Sequence, residues 1–466
     1  MTERLPRIGI LGIMQALYDE MLPGITERQH GFAIDLAKRL GDVAEFIVGL
    51  PVKSREDAEH VMRDFEHDDL DGVLVVMLTY GPAMRVARLL SGSRLPICLA
   101  NIQPVASVTP DWTMADLTYN QGIHGAQDTA NAMVRAGRPF HVITEDWQAP
   151  AFRTEFARWA RTARAIAAFR RLRIGVFGYA MNDMGDIRVD ENALLRALGP
   201  EISYVAPGEL YRRTLEVTES EVDAVIADED ERFAVDPALT QEERTDHVRM
   251  QVAIERILRD RGYGAYSTHF DAIGEDGRFA RLPLAAASSL MAKGYGYGAE
   301  GDALAAAMVY AGHRLIGDAH FTEMYAMDFP TDSVLLSHMG EGNPAVARRD
   351  EPVRLIKRPL AIGRLADPPT FLFRIRSGPA TLAALVSLGG ERFRLVVAEG
   401  EILDGPVLPD LEMPYGQFRP ATGVRACLNA WLRNGGPHHE VLNLGHHAAD
   451  WELFCAQTGI EFAGVA

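Results

Sequence analysis

The chain of 466 residues is 47% hydrophobic and 24% charged, and carries a formal net charge of −17. A single hydrophobic core stops growing at about 250–300 residues, so this length predicts two or three domains. The acidic balance excludes nucleic acid and anionic membrane as the main partner, because both attract basic surfaces.

Three dispersed cysteines, Cys98, Cys427 and Cys455, form no C-x-x-C pair. That leaves neither a disulfide framework nor a thiolate zinc site, and it points to a reducing cytoplasm. The opening MTERLPRIGILG enters a strand-like run with no apolar leader. The longest apolar runs, such as GVLVVML, are strand-sized, so the chain is expected to be soluble and cytoplasmic, with no membrane partner.

In chain order, Arg7 to Ile13 reads as a buried strand, followed by the helical pattern GFAIDLAKRL and a strand candidate over Ala44 to Val48. SREDAEHVMRDFEHDD gives a helix, GVLVVMLTYG a central strand, GPAMRVARLLSG a helix and LPICLANI another strand. Near-continuous apolar strands alternating with helices predict a parallel sheet covered on both faces. Functional residues in such sheets lie just past the carboxyl ends of strands, where Gln15 and Tyr80 sit.

A long helix over about Ala151 to Arg171 leads into RIGVFGYAMND, which repeats the opening strand–turn pattern. Further strand–helix units follow at ISYVAP and VDAVIADED, then a charged helix through QEERTDHVRMQVAIERILRDRGY. Beyond Asp328, runs such as TFLFRIRSG, RFRLVVAEGEIL and HHEVLNLG predict an antiparallel β-rich module with one or two helices. The expected fold class is α/β: two doubly wound, Rossmann-like parallel-sheet domains followed by a β-rich C-terminal domain. The expected boundaries are 1–170, 171–320 and 321–466, the last segment completing a metal site.

Two carboxylates and two imidazoles stand in distinctive settings: Glu300 in YGYGAEGD, Glu323 in HFTEMY, His338 in LLSHMGE and His439 in NGGPHHE. Oxygen and nitrogen donors without thiolate suit a divalent ion of the manganese type. Each also has a bland reading. Glu300 can serve as a helix N-terminal charge, with Asp302 a rival for its role. Glu323 lies in a largely apolar stretch, where a carboxylate is costly unless paired or metal-bound. His338 alone reads as a bonded core histidine. In His438–His439 adjacent side chains point apart, so only one is expected to bind an ion. No HExxH, Walker loop or full G-x-G-x-x-G is present.

Eight segments in order over nearly the whole chain resemble the L-arabinose isomerase family, within the wider arabinose/fucose isomerase group. They are MQALY (14–18), NQGIHG (120–125), FGYAMND (177–183), YGYGAEGD (295–302), FTEMY (321–325), SHMGE (337–341), SGPATLAALVSLG (377–389) and GGPHH (435–439). The resemblance implies a divalent ion, Mn2+ or another such as Co2+ or Mg2+, held by Glu300, Glu323, His338 and His439. It implies that Glu300 and Glu323 also transfer protons. It further implies a sugar-binding set of Gln15, Gln121 and His124, with Met181 and Tyr80 lining it and His438 beside it. A homo-oligomer, trimer or hexamer, is implied, with N-terminal residues reaching a neighbouring subunit's active site.

The implied reaction interconverts an aldose and its ketose, the small-molecule partners expected here. Loss of the C2 proton to one glutamate gives a cis-enediol, and a proton returns at C1. A hydride shift on the same residues is the alternative, and either glutamate can be the base. Ala16, Ala303 and Glu440 replace the family's usual histidine, tryptophan and threonine, and Tyr80 its usual phenylalanine. L-arabinose is therefore the default sugar, with D-galactose, L-fucose, D-arabinose or a tetrose as alternatives. A non-catalytic sugar-binding or regulatory protein leaves the four-residue set unexplained. A nicotinamide-dependent oxidoreductase lacks the complete glycine fingerprint.

Overall fold

A computed structural model describes residues 4–360 and 362–465. The chain forms two compact units, Met1–Ala167 with Leu453–Gly459, and Ala168–Glu452 with Ile460–Ala466.

The first unit is built on a five-stranded parallel sheet in the order Glu45–Val48, Arg7–Ile13, Gly72–Met77, Ile97–Asn101, His141–Thr144. Every residue of Gly72–Met77 is buried, as its unbroken apolar run requires for a strand covered on both faces. One face packs Phe32, Leu36, Phe156 and Trp159, and the other Val61, Phe65, Leu90 and Met133. Helix Arg55–His67 starts at a capping box, in which the Ser54 hydroxyl accepts from Asp57 N and the Asp57 carboxylate accepts from Ser54 N. The strand order reverses between Arg7–Ile13 and Gly72–Met77. The crevice at their carboxyl ends, at Gln15 and Tyr80, is thus a topological switch point.

The second unit opens with a four-stranded parallel sheet in the order Gly296–Ala299, Ala265–Thr268, Arg173–Phe177, Glu201–Val205. Its switch point lies past Phe177 and Thr268. Val222 to Asp230, read from sequence within a strand–helix unit, lies wholly in helix Glu219–Arg232. A capping box between Thr218 and Glu221 starts that helix, satisfying donors a strand would have left for the sheet.

From Ala319 the chain makes an antiparallel β-barrel, which contains the β-rich module expected beyond Asp328. The strands run Gly378–Ser387, His439–Leu444, Ala319–Asp328, Ser333–Ser337, Tyr415–Pro420 and Phe393–Ile402, and the last closes on the first. Closure leaves no free edge among these six. Glu461–Gly464 adds in parallel beside Phe393–Ile402. Leu336, Phe371, Leu382, Val396 and Phe418 fill the core, joined by Val424, Cys427 and Trp431 from helix Val424–Arg433. No helix among the described residues is long and apolar enough to cross a membrane.

Candidate metal centre

Strand register assembles most of the centre. Glu323 pairs with His439 on one neighbouring strand and with Ser337 on the other, and His338 follows Ser337 where its strand ends. Directly opposed residues present side chains to the same face, which puts Glu323 beside His439. Glu300 arrives from the parallel sheet, one residue past Gly296–Ala299, with φ at +61°. A non-glycine residue there is strained, and such strain concentrates at functional sites. The turn is pinned on its far side, because Met181 N donates to Glu300 O at 2.8 Å. A Cβ on Gly301 would sit 2.2 Å from Tyr179 O, so only glycine fits.

The four groups converge. His439 Nε2 lies 3.2 Å from Glu323 Oε1 and 3.6 Å from Glu300 Oε2, and His338 Nε2 lies 3.9 Å from Glu323 Oε1. Donor atoms at about 2.1 Å from a shared ion, at right angles, stand about 3 Å apart, so Glu323, His338 and His439 are spaced to close on a divalent cation, and Glu300 adjoins them through His439. Glu323, His338 and His439 form one potential ligand group, and Glu300, His438 and His439 a second sharing His439. His439 Nε2 is buried and makes no well-formed hydrogen bond in the protein, as expected of a nitrogen kept for an ion. The three cysteines are all buried elsewhere, so the donors are oxygen and nitrogen only.

A second ring of carboxylates orients the imidazoles. His439 Nδ1 is bonded to Asp302 Oδ2 at 2.9 Å, and His338 Nδ1 to Glu341 Oε2 at 2.7 Å. Glu341 Oε1 also accepts from the Tyr297 hydroxyl at 2.8 Å, which is itself 2.9 Å from Thr268 Oγ1. Each carboxylate holds the Nδ1 proton and leaves Nε2 free to face the centre. Asp302 also caps helix Ala303–Leu315 through Ala305 N, so one side chain fixes both helix and ligand. Glu341→Gln is expected to weaken Mn2+ binding by about 10- to 100-fold, checked by titration calorimetry. Unchanged affinity would remove Glu341 from the centre.

Burial and charge compete at these groups. Burial raises Glu323, but the close His439 imidazole and the neighbouring His338 and His438 bring it below the ordinary carboxylate range. Burial pulls His439 down, but its bond to Asp302 and the close Glu323 carboxylate prevail and raise it to about 10. A basic group raised on folding stabilises the folded state fully below its unfolded value, near 6.5, and that stability is lost as pH rises through about 10. The metal-free protein is therefore expected to lose thermal stability across this window more steeply than Asp302→Asn, which keeps a helix cap but not the charge. Equal slopes in scanning calorimetry would sink this expectation.

The other residues singled out from sequence fall into two groups. His438, half-exposed, lies with Nε2 3.4 Å from Glu300 Oε2 and 3.6 Å from Glu323 Oε1. Its backbone N–H, at 3.1 Å, and its Nδ1, at 2.7 Å, both meet Asp186 Oδ2. Met181 is tied to Glu300 as above. In the first unit, Gln15, Tyr80, Gln121 and His124 gather at the carboxyl ends of the sheet. Gln15 N donates to Thr79 Oγ1 at 3.2 Å, Arg85 Nη2 donates to Gln15 Oε1 at 2.5 Å, and the Tyr80 and His124 rings stack at 4.6 Å. Gln121 follows helix Met114–Asn120 as its C-cap.

Sequence reasoning passed over Glu341, Asp186, Tyr297 and Tyr325. Tyr325 lies two residues beyond Glu323, and burial together with Glu323 raises its phenol. The repeat of two along a strand was the available signal for Tyr325. Glu341 stood inside the quoted SHMGE, and Asp186 had no sequence signal.

Comparison with known proteins covers nearly the whole chain. Residues 10–171, 173–317 and 318–461 match the N-terminal, central and C-terminal domain families of L-arabinose isomerase. The chain is 29% identical to L-arabinose isomerase of Aeromonas hydrophila over 93% of its length and 92% of the relative's. It is 28% identical to that of Erwinia tasmaniensis, covering 88% and 84%, and 26% identical to that of Yersinia enterocolitica, covering 97% and 92%.

Proposed function

The chain belongs to the L-arabinose isomerase family and is an aldose–ketose isomerase, and from that premise we propose a divalent-metal-dependent enzyme acting on L-arabinose or a related aldose through a cis-enediol. The convergence of Glu300, Glu323, His338 and His439 carries this reading. These four side chains would hold the ion, with Mn2+ best suited to the donor set and Co2+ or Mg2+ next. When bound, such an ion supplies Lewis-acid polarisation of the aldehyde and draws charge from O1 and O2.

The chain's own residues do the remaining work. Glu300 and Glu323 flank the space where C1 and C2 would lie. One takes the C2 proton and returns it at C1, while the other moves protons between O1 and O2. His438, held through Nδ1 by Asp186, presents Nε2 to both glutamates and binds a sugar hydroxyl. Met181 lines the same space, its loop fixed by the bond to Glu300 O.

Gln15, Tyr80, Gln121 and His124 are assigned to sugar contacts made in the active site of a neighbouring subunit of a trimer or hexamer. Exposed apolar side chains support a subunit interface at this edge: Leu17, Met21, Met84, Met114 and Ile123 all follow the sheet's strands there.

A C2-deuterated aldose tests the chemistry. Ketose carrying deuterium partly exchanged with solvent supports the enediol. Complete retention of the label at C1 would replace it with a hydride shift.

A further inference from the structure

A cleft of about 40 Å³ opens beside Glu300 and His338 at the carboxyl ends of Ala265–Thr268 and Gly296–Ala299. Its polar lining beyond those two is Thr268 and Glu341, both already bonded into the Tyr297 network. The rest of the wall is apolar, with Phe270, Ile273, Leu282, Leu284, Met339 and Leu360 contributing. Four of these, Ile273, Leu282, Leu284 and Leu360, are no more than 8% exposed.

The backbone of this wall is also engaged. Ile273 N donates to His269 O at 3.1 Å, Leu360 N to Asp367 Oδ1 at 3.2 Å, and Pro283 O accepts from Ala287 N at 3.0 Å. Met339 O accepts from Arg358. A hydroxyl pushed into such a wall gives up water and finds little in exchange, whereas a methyl group loses nothing.

Resting on the isomerase reading, we propose that this cleft is a tail subsite, selecting aldoses whose chain ends in a methyl group over those ending in hydroxymethyl. The oxygens on C1 and C2 stay at the Glu and His end, where polar partners are. C1 carries no further carbon, so the part of the sugar that reaches the cleft is its far end. The favoured class is the terminally deoxygenated aldoses, such as 6-deoxy-D-galactose, which shares its C2 to C4 configuration with L-arabinose.

The test compares matched pairs on the manganese-loaded full chain. For turnover, kcat/KM for 6-deoxy-D-galactose is expected to exceed that for D-galactose by about 10- to 100-fold. For binding, 5-deoxy-L-arabinitol is expected to bind tighter than L-arabinitol by at least about tenfold. Leu360→Asn and Ile273→Thr each place a polar atom in the wall and are expected to bring both ratios toward one. Equal or reversed ratios in the wild-type protein overturn the subsite, as do ratios unmoved in both variants. Preference for the deoxy alditol without turnover of any aldose keeps the subsite and removes the isomerase reading beneath it.

Discussion

Glu323→Gln is expected to fold and to lose ketose formation by about 10³- to 10⁴-fold at saturating metal. The side chain is nearly enclosed, opposite His439 in the strand ladder and held below the ordinary carboxylate range, so it is fully ionised at neutral pH. Glutamine keeps its shape and one acceptor but can take no proton. Steady-state assays over a range of Mn2+ concentrations separate weaker metal binding, which excess ion restores, from lost proton transfer, which it does not. A variant keeping more than about a tenth of wild-type turnover would take Glu323 out of the acid–base pair, since a positioned acid or base contributes at least about 100-fold.

His439→Gln is expected to have the second large effect, on binding and on stability together. His439 is the residue common to both potential ligand groups, so Mn2+ affinity should fall by more than the ~100-fold ceiling for loss of an orienting partner. It also leaves the buried Asp302 carboxylate with Ala305 N but without its imidazole. Breaking a buried pair from one side costs about 3–5 kcal/mol. Denaturant unfolding of the metal-free variant measures that loss, and calorimetry on the folded fraction measures affinity. Wild-type affinity in this variant would place the ion elsewhere.

Much of this architecture was legible because apolar runs and turn residues agreed locally. Arg7–Ile13 and Gly72–Met77 are strands that could hardly be buried helices, being short, β-branched and bounded by polar turns. The barrel showed in the same way, through β-branched and aromatic runs between glycine, proline and aspartate turns. What escaped were strands of small or polar residues. Gly296–Ala299 reads as a glycine-rich loop because glycine disfavours strands. Its glycines instead admit helix Ala303–Leu315, since a Cβ on Gly296 would lie 2.2 Å from Ala306 O and one on Gly298 2.4 Å from Asp302 O. Ala265–Thr268 and His141–Thr144 lacked the apolar run that marks a buried strand, and they are set by tertiary pairing.

The candidate site was legible in part for a related reason. Glu300, Glu323, His338 and His439 each carried an odd local context, and the segmental resemblance joined them. Their orienting partners could not be read this way. Asp186 meets His438 across 252 positions, and Tyr297 meets Glu341 across 44. Such pairs exist only once the strand order and the barrel register bring them together. In the sequence Asp302 is a rival to Glu300 for the same role. The geometry separates the two: Asp302 Oδ2 meets Nδ1 of His439, while Glu300 Oε2 faces Nε2.

The most direct test is ketose formation by the purified chain, stripped by chelation and then given Mn2+, across pentoses, hexoses, deoxyhexoses and tetroses. The expected result is no turnover after stripping and full recovery with Mn2+ on at least one aldose. Undiminished turnover in the stripped protein, or none on any aldose with Mn2+ bound, would contradict a metal-dependent aldose–ketose isomerase built on these four residues.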